Sequence, residues 1–492
     1  AIGTYSLLAL NAGADGYNTA VGYNTGQAMT TGINNTIVGA QAGDALTTGS
    51  YNIAIGFRAL SSEDTGGTSI GIGYYALEAQ NNASNNYNVA IGHGAGLAVT
   101  TGTKNTLVGG TAGDALTTGS ENVVIGYGAL GLEDTGGRNV AIGYNSLSAL
   151  NYDGFAYTTA VGYAAGVSIT TGLYNTILGA NAGLALTTGG ENVAVGFESL
   201  MTEDAHGRNV ALGYKTLRLQ DAGAEAYNVA VGYAAGSAVT TGVQNTLIGG
   251  NAGDALTSGV GNVAVGYQAL SSEDGHGRNT AVGYNSLATL NVGGEGNNTA
   301  LGYKSGEGMT TGTNHTLLGA LAGDALTTGE GNVAIGKSAL STETTGGKNV
   351  AIGARSQEDV NNSGNGNNVS VGFESMLNAT TAVGCTVVGS SAVGGGVMTG
   401  GFNTVVGYLS GLDLTSGELN TLVGSYAGEN LTIGNYNTVL GYKALQKSVD
   451  GDYNTAVGHR ALEDYEDGDS NGHNTAIGSK SQLEASTGEF NT

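Results

Sequence analysis

Acidic turns recur in this sequence at a fixed step of 70 residues: Glu63-Asp64, Glu133-Asp134, Glu203-Asp204, Glu273-Asp274 and, with Glu alone, Glu343. Paired carboxylates can serve as acid and base in glycoside hydrolysis. A catalytic centre, however, is a unique constellation, and a pair copied in every super-repeat reads as architecture. Basic residues follow at Arg138, Arg208, Arg278 and Lys348. The expectation is therefore a solvated turn with a local or interchain ion pair, contributing about 0–1 kcal/mol.

Near the C-terminus, Asp467-Gly468-Asp469-Ser470-Asn471-Gly472 matches the first half of a calcium loop, D-x-D-x-N-G, with Asp467, Asp469 and Asn471 as candidate oxygen ligands. The bidentate Glu of the twelfth position is Gly478 here, so an ordinary acidic Asn-Gly turn is the competing reading; calcium is the one cofactor the sequence offers. Asp450, Asp452 and Asn454 form a weaker run of the same kind. His93, His206, His276, His315, His459 and His473 show no metal-ligand spacing and read as surface or ladder substitutions. No Ser or Cys lies in a nucleophile motif, and Cys385 reads as a small buried residue.

The elements that must position these residues follow from composition and period. The 492 residues include 90 Gly, no Pro and no Trp, and only 11% are charged. That excludes an ordinary globular surface, and the absence of a Gly-X-Y triplet excludes collagen. A net charge of -24, with 15 scattered Lys and Arg, provides no stripe to neutralise phosphates, so nucleic acid is not an expected partner. A single cysteine excludes an internal disulfide framework. No apolar run approaches the roughly 20 residues of a bilayer span, so membrane insertion is not expected of this segment.

One motif fills the chain: Asn, then Thr/Val/Ile, a small or aliphatic residue, Val/Ile/Leu, then Gly, first complete at Asn18-Thr19-Ala20-Val21-Gly22. Its Gly recurs at steps of 17, 17, 17 and 19, giving a four-coil super-repeat marked by Gly22, Gly92, Gly162, Gly232, Gly302 and Gly372. Repetition at such a period is the signature of a solenoid. The prediction is an all-β, parallel β-solenoid, or β-roll, of about 28 coils of 17–19 residues. Residues 1–372 form its regular part, 373–406 an irregular stretch, and 407–492 less regular coils continuing the same rod. At roughly 4.8 Å per coil the rod is on the order of 130 Å long.

β-Branched residues at alternate motif positions predict a strand with those side chains in the core. The position between them is mostly Ala, but Ile or Leu at Ile37, Leu107, Ile177, Leu247 and Leu317. Apolarity on both faces calls for cover from another chain. A shorter second strand is expected at Ala45-Leu46-Thr47-Thr48 and at Ala115-Leu116-Thr117-Thr118.

Asn at a fixed place in the coil predicts a structural hydrogen-bonded ladder: Asn18, Asn35, Asn52, Asn88, Asn105, Asn122, Asn139, Asn175, Asn192, Asn209, Asn228, Asn245, Asn262 and Asn279. The motif departs from Asn at Ser69, Thr158, His315 and Cys385. Aromatic residues after the motif Gly, among them Tyr23, Phe57, Tyr74, Tyr127, Tyr144, Tyr163, Phe197, Tyr214, Tyr233, Tyr267, Tyr284 and Tyr303, cover the coil edge or an interchain groove, with sugar stacking as the alternative. Opening on Ala1-Ile2-Gly3 and closing on Asn491-Thr492, the chain spells the motif when joined end to end, which suggests a window cut from a longer array or end-to-end stacking.

Strings such as Asn349-Val350-Ala351-Ile352-Gly353 and Asn474-Thr475-Ala476-Ile477-Gly478 resemble the head repeats of trimeric autotransporter adhesins and the NTAIGY-type repeats of phage tail-fibre shafts. The resemblance implies a left-handed parallel β-roll in a homotrimer, extracellular on a cell surface or virion, attaching to a receptor or glycan without catalysis. Two other readings compete. Recurrent Thr pairs, at Thr30-Thr31, Thr47-Thr48, Thr100-Thr101 and Thr117-Thr118, suggest an ice- or crystal-surface binder, and the coiled fold a polysaccharide-degrading β-helix enzyme.

Overall fold

The computed structural model describes residues 1–13, 15–465 and 472–484. It is an all-β parallel solenoid, with no helix among the described residues. Among the described residues, twenty-seven strands, β1 (Thr19–Val21) to β27 (Thr475–Ile477), each span three residues and coincide with copies of the sequence motif. The chain divides into two compact units, Ala1–Gln244 and Asn245–Thr492. The first holds β1 to β13 (Val229–Val231) and the second β14 (Thr246–Ile248) to β27.

Within each unit every strand pairs in parallel with the next along the chain. Motif position meets motif position, as in Ala20↔Ile37 in the first unit and Leu247↔Ala264 in the second. The pairing does not lapse in the irregular stretch, where Val387 meets Val405 across an 18-residue step. The half-motif at the start also pairs, Ile2 with Val21. This ladder has a simple origin: coils one period apart present the same backbone groups at the same height, so each N–H finds a carbonyl about 2.8–2.9 Å away.

The strand faces are the reverse of the sequence expectation. The middle residue of each strand is the one inside, with Ala20, Ile37, Ala54, Ala90 and Leu107 all fully or almost fully buried. The β-branched residues on either side point outward and are half-buried or exposed, as in the buried-centre patterns of Thr36–Val38 and Val89–Ile91. The reason is room. A coil of 17 residues encloses a narrow lumen already occupied by Leu, Met and Ala from the rest of the turn, such as Met29, Ala42, Leu46, Ala59 and Leu60. Mostly Ala fits beside them, and β-branched bulk is left for the outer face.

The expected second strand is also absent. Residues 45–48 and 115–118 form turns and bends, although they still bond to the next coil through Thr47 N–H to Asp64 O at 2.8 Å and Thr117 N–H to Asp134 O at 2.6 Å. Positive φ angles fall just before these segments. After the motif Gly, the second and fourth residues take left-handed conformations, for example Asn24 (φ 53) and Gly26 (φ 59), or Gln41 (φ 57) and Gly43 (φ 52). The backbone therefore curls continuously and closes the coil in few residues.

The motif Gly has a specific cause. Gly92 lies at φ +142, and a Cβ there would stand 2.2 Å from the carbonyl oxygen of Gly109 in the next coil. That combination of dihedral and contact admits only glycine. Gly261, by contrast, is left-handed at φ +69 with nothing within 4 Å, and the corresponding residues 70 and 140 positions earlier are Glu191 and Glu121. Gly92→Ala is expected to lower the local opening free energy of its coils by at least ~2 kcal/mol, read by native-state hydrogen exchange. Gly261→Asn is expected to leave the protection pattern unchanged.

Candidate functional site

The Asn ladder is built as the sequence predicts, and its chemistry is specific. Each Asn side-chain oxygen accepts the backbone N–H of the equivalent residue in the next coil: Asn35 N–H to Asn18 Oδ1 at 2.9 Å, Asn52 to Asn35 at 2.9 Å, and Asn122 to Asn105 at 3.0 Å. Its Nδ2 donates to the carbonyl fourteen residues on, as from Asn35 to Gly49 at 2.9 Å and from Asn105 to Gly119 at 2.8 Å. The second unit repeats both bonds at Asn262 N–H to Asn245 Oδ1 and Asn245 Nδ2 to Gly259 O. From Asn35 onward the ladder asparagines are buried. In the 19-residue coils the carbonyl is displaced, and Nδ2 of Asn139, Asn279 and Asn349 has no partner among the described residues.

The substitutions in the ladder keep its function where they can. His315 accepts the Asn332 N–H at Nδ1 (3.1 Å) and faces the Gly329 carbonyl with Nε2 at 2.7 Å, so a neutral imidazole protonated at Nε2 replaces the amide on both sides. Burial holds its pKa below the usual histidine value. Cys385 is fully buried; its N–H donates to Asn368 Oδ1 at 2.9 Å and its thiol to Gly400 O at 3.7 Å, while burial pushes the thiol pKa up.

The acidic turns are not solvated. Glu63, Glu133, Glu203, Glu273 and Glu343 are fully buried, and only the following residue, Asp or Thr, reaches the surface. The cause is backbone N–H groups that converge on the carboxylate inside the widened coil. Glu133 accepts from Gly136 at 2.6 Å and Tyr152 at 3.1 Å, and Glu343 from Gly346 at 2.7 Å and Asn362 at 3.0 Å. Glu63 accepts from Gly66 and from the Gln80 and Asn86 side chains. Burial raises the pKa of all five, Glu203 to about 7.

The basic residues expected to pair with these turns pair elsewhere: Arg138 with Glu121 at 2.9 Å, Arg208 with Glu191 at 3.0 Å, and Arg278 with Glu295. The calcium-loop residues Asp467, Asp469 and Asn471 lie outside the described residues.

The Thr pairs lie in bends of the coil. Thr30 and Thr100 donate their hydroxyls to Thr47 O and Thr117 O of the next coil, so the first Thr of each pair serves the stack. The aromatic residues pile ring on ring along the coil edge. Tyr127, Tyr144 and Tyr163 have centroids 5.8 and 5.4 Å apart, and Phe197, Tyr214 and Tyr233 are 5.6 and 5.1 Å apart, near parallel in each case. Rings stacked on one another expose edges and hydroxyls, whereas sugar stacking requires a free face. The small residue after the motif Gly in the second coil, Gly110 or Ala180, interrupts each pile.

Sequence reasoning missed one cluster. Glu203, Asp204 and His206, and again Glu273, Asp274 and His276, each bring three ligand-type atoms within 4.8 Å of one another. The signal was a histidine three residues after the buried Glu in two copies of the turn. A scan against protein-family models finds none that matches the chain, and a search of the curated proteins finds no match. No helix among the described residues is long and apolar enough to cross a membrane.

Two outcomes test this account. Asn122→Ala strands the Asn139 N–H and the Gly136 carbonyl and is expected to cost about 2–4 kcal/mol in hydrogen-exchange opening energy of the flanking coils. The second concerns pH. A carboxyl whose folded pKa exceeds its unfolded value stabilises the fold below the unfolded value and loses that contribution as pH rises through the folded one. Burial raises Asp44, Asp114, Asp254 and Asp324 in this way; Oδ1 of Asp254 lacks a partner among the described residues, and the equivalent position of the third super-repeat is Leu184. Asp254→Leu is therefore expected to raise the melting temperature at pH 8 and to flatten its fall between pH 4 and 8.

Proposed function

We propose that the chain is a structural segment of an extracellular fibre, on a cell surface or virion, that serves attachment to a receptor or glycan, forms a homotrimer and performs no catalysis. One observation carries this reading: within each unit the outer face of the strand ladder is a continuous row of β-branched and aliphatic side chains. Ile91, Ile125 and Leu212 in the first unit, and Ile248, Leu301, Leu318 and Leu440 in the second, are 38–49% exposed. An apolar face repeated along the whole ladder is a surface built to be covered, and copies of the same chain carry a face of matching period. The backbone groups of each strand bond to the next coil, so the fold extends by addition, as a fibre requires. The resemblance to adhesin-head and tail-fibre repeats supports the same reading, and end-to-end stacking would continue the same ladder.

Light scattering on the purified chain should return three times the 48.6 kDa of one chain, and end-on electron micrographs should show three-fold symmetry. Ile125→Lys with Leu212→Lys should yield monomers with an unchanged circular-dichroism spectrum. A wild-type protein that stays at one chain mass would remove the trimer from the proposal.

A further inference from the structure

The acidic turn exists in five copies, and the structure supplies its own controls. Where glycine stands third after the Glu, at Gly66, Gly136 and Gly346, its N–H meets the carboxylate at 2.6–2.8 Å, and the second carboxylate oxygen is also taken. Where histidine stands there instead, that bond loosens to 3.2 Å at His206 and 3.1 Å at His276. The second oxygen of Glu203, a fully buried side chain, then has no hydrogen-bond partner among the described residues. The facing Nδ1 of His206 has none either, and stands 3.6 Å from Glu203 Oε1. His276 repeats the histidine half of this, with Nδ1 also unpartnered and 3.6 Å from Glu273 Oε1, while Glu273 Oε2 accepts the Val292 N–H at 3.3 Å.

Buried polar atoms left without a partner, Glu203 Oε2 and the two Nδ1 atoms, are unfavourable unless something positive reaches them. A proton on the imidazole would serve poorly at 3.6 Å. A metal ion fits better: ligands held at about 2.0–2.1 Å in tetrahedral geometry stand roughly 3.4 Å apart, close to the observed separation. The donor set, one imidazole and two carboxylates, suits zinc and its first-row neighbours rather than calcium. The residue before His is small in both copies, Ala205 and Gly275, where the other three copies have Thr65, Thr135 and Thr345 at that place. In the second copy His276 opens onto a depression of about 350 Å³ lined also by Ser258, Gly275, Arg278 and Glu295. This gives an ion access, while the Arg278 charge is engaged by Glu295.

We propose that Glu203, Asp204 and His206 bind a divalent first-row transition metal ion, and that Glu273, Asp274 and His276 bind a second, each leaving coordination positions for water. The inference is independent of the fibre reading, because each triad is complete within one chain.

The test uses the tag-free 492-residue chain. Cobalt(II) is titrated by visible absorption and zinc(II) by calorimetry, with the oligomeric state followed in parallel. Two equivalents per chain are expected. His206→Gly and His276→Gly, which restore the residue of the glycine copies and so preserve the fold, should each remove one equivalent, and the double variant both. Glu203→Gln should weaken the first site at least tenfold. Binding weaker than 1 mM, or a stoichiometry that the histidine substitutions leave unchanged, overturns the proposal. Loss of one equivalent with His206→Gly and none with His276→Gly upholds the first site and overturns the second.

Discussion

The hydrogen bond from each ladder residue's backbone N–H to the Asn oxygen of the preceding coil is the constraint on which the rest depends. A coil this short turns sharply just before its strand, and at that corner the backbone cannot bond to its own neighbours. An amide side chain accepts one N–H with its oxygen and donates to one carbonyl with its nitrogen, from two separate atoms. It therefore fixes both the height of the next coil and the shape of its turn. Asn35, Asn52 and their successors are buried because the corner is buried. Asp at this place would keep the acceptor and lose the donor, and Leu would lose both.

Once coils are held in register, the lumen becomes the scarce quantity. Its cross-section is fixed by the coil length, so a large residue at one place requires a small one opposite. Ile37 and Leu46 pack over Gly43, where a Cβ would lie 2.8 Å from Leu46 Cδ1. The 19-residue coil relieves this crowding and creates a different problem, a wider interior with free backbone N–H groups. The buried Glu answers it by gathering those donors. Its raised pKa is the consequence of placing a carboxyl where the interior is apolar and the only partners are amides.

The outer surface follows from the same economy. With the lumen closed to bulk, Val, Ile and Thr face outward in an unbroken row, and Tyr rings stack along the adjoining edge. The outward row continues within each unit and the ring piles recur with the super-repeat, so neither marks a single place. The two histidine-bearing turns are the exception, local departures in an otherwise uniform array.

Much of this was legible in the sequence. The motif at steps of 17, 17, 17 and 19 determined that the chain forms stacked parallel coils, where each strand begins and ends, and that Asn holds a ladder, because a period in sequence becomes a register in space whatever the details of the coil. The interior could not be read the same way. Alternation of Thr19, Ala20 and Val21 is equally consistent with either face inward, and only the volume enclosed by the closed coil puts Ala20 inside. Likewise Glu63-Asp64 looks like a solvated turn as a string of letters. The tertiary structure buries Glu63, because the amides that hold it come from Gly66, Gln80 and Asn86, the last two belonging to the next coil, and no local pattern reports what the neighbouring coil supplies.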